Sequence, residues 1–179
     1  LSGAAQRVGF SANIMGSTAP AAQQLMAWDA FLTRPLHIPA LPMQELEHNL
    51  LLLRALGLPV QDERLEVWYD RMDAGRAARL CAGLGGERRL AAVGIGAQEP
   101  RRRYPAELLI QALAALTPLC DFVLLGGPGE QAEGERIAAA LPADRVRSLA
   151  GQTTLPQSEA VIARCALYIG NDTGMLHMA

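Results

Sequence analysis

Short apolar blocks ending in glycine recur through the second half of the chain. Leu90-Ala91-Ala92-Val93-Gly94-Ile95-Gly96 is the first, and a run this short and apolar on both faces reads as a buried strand. A polar, arginine-rich loop follows. Pro105 is placed to open a helix, because the first turn has no use for the N–H that proline lacks. Leu108, Leu109, Ala112, Leu113 and Leu116 then recur at helical spacing. Asp121 to Gly127, built on Phe122-Val123-Leu124-Leu125, reads as a second strand. Ile137 and Leu141 mark one face of a helix that stops at Pro142. Val146 to Leu149 is a third strand, closed by Gly151. A helix from about Leu155 to Arg164 follows, with Thr154 as its N-cap. Ala166 to Ile169 is a fourth strand.

This alternation predicts an α/β fold, a parallel sheet covered by helices on both faces. Ligands of such sheets sit outside the carboxyl ends of the strands. The turns after Gly96, at Gly126-Gly127, at Gly151 and from Gly170 to Thr173 should therefore face one cleft.

The first 85 residues are less regular. Arg7-Val8-Gly9-Phe10 reads as a strand end, and Pro35 to Pro42 as an extended connection. Gln44 to Leu56 is a helix with Leu46, Leu50, Leu53 and Leu56 on one face, ended by Gly57 and Pro59. Glu66 to Tyr69 is a short strand or a linker, and Arg71 to Gly86 a helix followed by a glycine-rich join. The expected division falls between 1–85, this less regular part with its join, and 86–179, the regularly alternating part. The last ten residues follow a strand, turn at Asp172-Thr173-Gly174 and enter a helix that has made about one turn at Ala179. The chain is accordingly read as a fragment.

Composition narrows the function. Half of the 179 residues are hydrophobic and the net charge is −2, which disfavours a general nucleic-acid partner. All 16 basic residues are arginine, so no lysine nucleophile or lysine phosphate clamp is available in this stretch. The three cysteines are far apart, form no CxxC and read as core thiols. No signal peptide or bilayer-length apolar run is present, and a cytoplasmic location is the expectation.

The candidate chemistry lies at the strand ends. Asp172 is either the N-cap of the last helix or a polar ligand group. Thr173 and Gly174 can offer backbone N–H groups to an anion, aided by the helix dipole, and Thr173 adds a hydroxyl. His177, on the same helix, is either structural or a donor to an oxyanion or sugar hydroxyl. Arg101-Arg102-Arg103 is either a solvated run or a phosphate clamp. Gly126-Gly127-Pro128-Gly129-Glu130 lacks GxGxxG spacing, which argues against a nicotinamide site, but Glu130 could accept from ribose hydroxyls. There is no DxD triplet, GxSxG elbow or P-loop, so neither a metal nor a cofactor is expected.

Taken in order, these residues resemble glycosyltransferase family 9, the bacterial heptosyltransferases of lipopolysaccharide core assembly. Gly96-Ala97 with Arg102-Arg103-Tyr104-Pro105 is similar to the family's GA…K-x-W-P segment. Leu124 to Glu130 is similar to LLGG…E, Leu149 to Leu155 to L-G-x-T-S-L, and Gly170 to Ala179 to G-N-D-S/T-G-x-x-H-x-A. The resemblance is strong over residues 88 to 179 and weaker before 85. It implies two Rossmann-like lobes of the GT-B type, both incomplete in this chain, with donor nucleotide in the C-terminal lobe and the acceptor side in the other. It implies Asp172 near the donor sugar hydroxyls and Thr173, Gly174 and Arg102 on the diphosphate. It also implies Glu130 on the adenosine ribose and His177 in support near the reacting sugar. Arg102 stands where the family has lysine, and Ala97-Gln98 replaces a hydroxyl residue that would contact phosphate.

The family's general base belongs to a glycine-rich loop that this chain does not contain. No base is therefore assigned, and the stretch alone is expected to be inactive. The implied reaction is inverting and metal-independent. Heptose moves from ADP-heptose to a lipopolysaccharide inner-core acceptor, with peripheral contact at the inner membrane face. The alternatives are a relative that glycosylates a protein or another glycan, and a non-catalytic nucleotide-binding module.

Overall fold

A computed structural model describes residues 3–11, 29–36 and 44–179. They divide into two α/β units, Leu1–Leu65 and Glu66–Ala179.

In the first unit, β1 (Val8–Phe10) and β2 (Arg34–Leu36) pair in parallel, Val8 opposite Arg34 and Phe10 opposite Leu36. The Arg7 N–H donates to Thr33 Oγ1 at 2.7 Å and fixes the start of the pair. Residues 37–43 of the expected Pro35–Pro42 connection lie outside the described residues. The helix expected over Gln44–Leu56 is α1 (Glu45–Ala55). Glu47 accepts from the Gln44 N–H at 3.1 Å and closes its first turn. Gly57, at φ 75°, ends it in a conformation that a Cβ would strain. The expected leucine face is only partly covered: Leu50 is buried, whereas Leu53 and Leu56 are exposed.

The second unit holds a four-stranded parallel sheet in the order β5-β4-β3-β6. Its strands are β3 (Arg89–Gly94), β4 (Cys120–Leu125), β5 (Val146–Ser148) and β6 (Leu167–Gly170). Its helices are α2 (Arg71–Leu80), α3 (Ala106–Leu116), α4 (Gln131–Ala139), α5 (Leu155–Ile162) and α6 (Gly174–Met178). Alternate residues of β3 and β4 feed two cores. Ala91, Val93, Phe122 and Leu124 pack with Leu109 and Leu113 of α3 and Ile137 of α4. Leu90, Ala92, Val123 and Leu125 pack with Ala77 of α2 and Ala160 and Val161 of α5. Helices thus cover both faces, and each fully buried large side chain contributes about 1.5–3 kcal/mol.

The expected strands and helices of this half are present, with ends shifted by a residue or two. Thr154 is the N-cap of α5 and accepts from the Gln157 N–H. Pro105 takes the cap position of α3 rather than its first helical residue. Residues 66–70 form no strand. The second unit begins at Glu66, before the 85/86 division read from sequence, because Ala77, Leu80, Cys81 and Leu84 bury against the β3–β4 face. Cys81 and Cys120 are buried free thiols, and burial pushes the partly exposed Cys165 up to about 12.

Beneath the sheet, Arg145 Nε meets Asp121 Oδ1 at 2.5 Å, and the Gly85 N–H donates to Asp121 Oδ2 at 2.9 Å. This buried pair ties the loop before β3 to the loop before β5. Burial pushes Asp121 up, but the Gly85 N–H and the Arg145 guanidinium outweigh it and hold the carboxyl below its ordinary value.

Candidate functional site

The strand order reverses between β3 and β6: β4 and β5 run to one side of β3, and β6 returns on the other. A crevice at such a switch point is where open α/β sheets bind ligands. A cleft of about 340 Å³ opens there, walled by Gly96, Ala97, Gly126, Glu130, Thr153 and Thr173 among others. Next to it is a cavity of about 210 Å³, walled by Gln98, Glu99, Arg102, Asp172, Thr173 and Gly174. Thr173 lines both.

Asn171, which the sequence reading did not single out, holds this end of the sheet together. Its buried amide nitrogen donates to the carbonyls of Ile95 and Gly96, each at 3.1 Å. Its amide oxygen accepts from the Tyr104 N–H at 2.9 Å. One side chain thus joins the end of β6, the end of β3 and the loop before α3. Asparagine fits because it carries two donors and an acceptor on one planar group.

The three arginines diverge. Arg101 is exposed and pairs with Glu99. Arg102 crosses to the turn after β6 and meets Asp172 Oδ2 at 3.2 Å. Arg103 donates to the Ala97 carbonyl at 2.8 Å and to Glu130 Oε1 at 2.9 Å. The other Glu130 oxygen accepts from the Gly127 N–H at 2.8 Å. Glu130 therefore stands in the larger cleft as a held carboxylate, and the Arg103–Glu130 pair links the β3 loop to the β4 loop. The sequence reading missed this partnership, since no local spacing relates residues 103 and 130.

Asp172 does not cap the last helix: Thr173 occupies that position, and its side chain makes no cap hydrogen bond. The Asp172 carboxylate faces Arg102 instead and lies 4.0 Å from His177 Nε2. A Cβ on Gly174 would meet nothing within 4 Å, so the backbone there is open to a ligand. Arg102, Asp172, Thr173 and Gly174 are thus brought around one cavity, and Glu130 lies in the adjoining one. His177 is exposed and belongs to neither wall. Among the described residues, no group of three or more His, Cys, Asp or Glu side chains could hold a metal ion. No described helix is long and apolar enough to cross a membrane.

The sequence model of glycosyltransferase family 9 (heptosyltransferase) matches residues 15–179. The chain belongs to glycosyltransferase family 9. It is 32% identical over 119 residues to lipopolysaccharide heptosyltransferase 2 of Salmonella typhimurium, an alignment covering 61% of this chain and 33% of that protein. It is 34% identical over 87 residues to the Escherichia coli protein of that name, covering 45% of this chain and 24% of the relative. The chain thus spans about a third or less of the curated family 9 relatives it matches. The solved E. coli ADP-heptose lipopolysaccharide heptosyltransferase II superposes with a TM-score of 0.56 at 27% identity, over 70% of this chain and 39% of that one. A family 9 glycosyltransferase from Veillonella parvula shares the fold with a TM-score of 0.70 at 21% identity, over 83% and 44%. Both units are α/β with parallel strands, as in these GT-B-like family 9 structures.

Proposed function

We propose that the protein is an inverting, metal-independent glycosyltransferase that moves heptose from ADP-heptose to a lipopolysaccharide inner-core acceptor. The observation that carries this reading is the convergence of Arg102, Asp172, Thr173 and Gly174 on one cavity at the sheet's switch point. The solved E. coli heptosyltransferase II, 27% identical, is named for ADP-heptose, which supports the choice of donor. In this reading, Glu66–Ala179 is the nucleotide-sugar lobe and Leu1–Leu65 contributes to the acceptor side. The enzyme works in the cytoplasm, peripherally at the inner membrane face.

The adenosine ribose lies by Glu130, whose carboxylate Arg103 and the Gly127 N–H hold in place. The diphosphate takes the smaller cavity against Thr173, Gly174 and Arg102. Its negative charge draws Arg102 from Asp172, which leaves the Asp172 carboxylate to accept from donor sugar hydroxyls. The acceptor oxygen attacks the anomeric carbon as the bond to the diphosphate breaks, and ADP leaves with the electron pair. Arg102 stabilises the charge that grows on the leaving oxygens, and it contributes to rate because that charge peaks as the bond breaks. His177 supports the reacting sugar from the first turn of α6. No base for the acceptor proton is assigned among these residues.

The test uses the full-length protein, ADP-heptose, a heptose-deficient core acceptor and EDTA. Heptosylated acceptor with inverted anomeric configuration by NMR is the expected product. Turnover that EDTA abolishes and magnesium restores would contradict the mechanism. Transfer only to a protein acceptor would contradict the substrate.

A further inference from the structure

Tyr168 stands in the middle of β6, opposite Ala92 of β3. Its side chain runs along the sheet toward the carboxyl ends, over Gly94 and Gly170, which are partners in the strand register. A Cβ at Gly94 would lie 2.0 Å from the phenol oxygen, and one at Gly170 2.7 Å from it. The two glycines together leave the slot that the ring fills. The phenol oxygen at the end of that slot is shut off from solvent and has no hydrogen-bond partner. A buried unpaired hydroxyl costs about 1–3 kcal/mol. Phenylalanine would fill the same slot without that cost, so packing gives no reason for the oxygen.

Gly94, against which the phenol oxygen lies, lines the larger cleft together with Thr173, and the Thr173 hydroxyl is the polar group beside the phenol. The contact falls short of hydrogen-bond geometry, although it is close enough to offset part of the rise that burial imposes on the Tyr168 phenol. Thr173 is itself uncommitted: it occupies the cap position of α6, yet its side chain makes no cap hydrogen bond. It also lines both cavities. Two hydroxyls without fixed partners therefore lie side by side, one sealed beneath the cleft and one facing it.

We propose that Tyr168 is a positioning residue for the donor diphosphate: when the diphosphate is bound, the Tyr168 hydroxyl donates to the Thr173 hydroxyl, and the Thr173 proton is thereby aimed into the cavity beside Arg102. The proposal rests on the donor reading above. A phenol has one proton to give, and Thr173 is the acceptor at hand. Thr173 then has one proton left for an oxygen in the cavity. A hydroxyl that accepts one hydrogen bond is polarised into a better donor of the next. Arg102 adds positive charge at the same cavity, so the oxygen that suits this chain of donors is anionic, as on a phosphate. Tyr168 itself touches no ligand, since its oxygen is sealed from the cleft.

The test is calorimetric titration of ADP into the full-length wild type, Tyr168→Phe, Thr173→Val and the double variant. Tyr168→Phe is expected to weaken ADP about three- to tenfold, the range of one net hydrogen bond. Its thermal midpoint without ADP should equal or exceed that of wild type, because an unpaired buried hydroxyl has gone. Thr173→Val should weaken ADP too, and adding Tyr168→Phe to it should change nothing further. In a Thr173→Ser background, which keeps the hydroxyl, the Tyr168→Phe loss should return. ADP binding unchanged in Tyr168→Phe would overturn the proposal. So would an equal Tyr168→Phe loss with and without Thr173→Val, because a purely structural role has no need of the threonine hydroxyl. Wild type that fails to bind ADP would overturn the donor reading itself, a result distinct from these.

Discussion

Replacing Asn171 by aspartate changes one atom's chemistry at the point where three segments meet. The amide nitrogen that donates to Ile95 and Gly96 at 3.1 Å becomes an oxygen facing two carbonyl oxygens. Two hydrogen bonds worth about 0.5–1.5 kcal/mol each are lost, and the carbonyl of the buried Ile95, left without its donor, adds about 1–3 kcal/mol. Asn171→Asp should thus lose about 3–5 kcal/mol of stability at neutral pH. The sign of the pH dependence follows from the same contact. Facing two oxygens, the new carboxyl binds its proton more tightly folded than unfolded, where its pKa is about 3.9. Between those two values the folded state holds more protons, so stability falls as pH rises through that window. The assay is the thermal midpoint of the full-length protein at about pH 4.5 and about pH 7.5, taken as the difference from wild type. The deficit should be larger at the higher pH. Asn171→Ala serves as the control, with a loss of about 2–4 kcal/mol and no such pH dependence. A variant as stable as wild type at the higher pH, or a deficit that shrinks as pH rises, would refute the donor–acceptor assignment of Asn171.

The arginine run should separate by partner. Arg102→Ala should lower kcat and raise KM for ADP-heptose, while Arg101→Ala, exposed on Glu99, should be near neutral. Arg103→Ala, which frees Glu130, should act mainly on KM; Arg101→Ala proving the worst of the three would show the loop to be misread. Gly174→Val has room for its side chain and should fold, yet ADP affinity should drop by about 1–3 kcal/mol, read by calorimetry. Asp121 contributes stability above the unfolded carboxylate pKa and loses it as pH falls through its lowered folded value. Asp121→Asn should therefore cost about 3–5 kcal/mol at neutral pH by leaving the buried Arg145 charge without its counter-charge, and should flatten the acid limb of the stability profile. An unchanged acid limb would place the pH sensitivity elsewhere.

The strands of the second unit were legible because β3 and β4 are apolar on both faces, a pattern that only a doubly covered sheet accepts. Thr154 was legible as a cap because its chemistry is local, a hydroxyl three residues from the N–H it accepts from. Asp172 was harder to read, since an acidic residue before a helix has two uses, and only the approach of Arg102 decides between them. Asn171, the Arg103–Glu130 pair and the Tyr168 slot were not legible from local pattern. Each joins groups far apart in the chain: Asn171 and the Tyr168 slot need β6 to return beside β3, and the Arg103–Glu130 pair needs β4 to lie beside β3. The place of α2 was hidden for a similar reason. Its glycine-rich exit at Gly83, Gly85 and Gly86 reads as a join between lobes, yet Ala77 and Cys81 are buried under the sheet.

The cavity between the ends of β3 and β6 is proposed to seat the diphosphate of a nucleotide-sugar donor. A crystal structure of the full-length protein with ADP tests it most directly. Both phosphates are expected in that cavity, with Arg102 turned from Asp172 onto a phosphate oxygen and the backbone N–H groups of Thr173 and Gly174 donating to the same group. ADP bound elsewhere, or bound in the cleft with Arg102 still paired to Asp172, would contradict it.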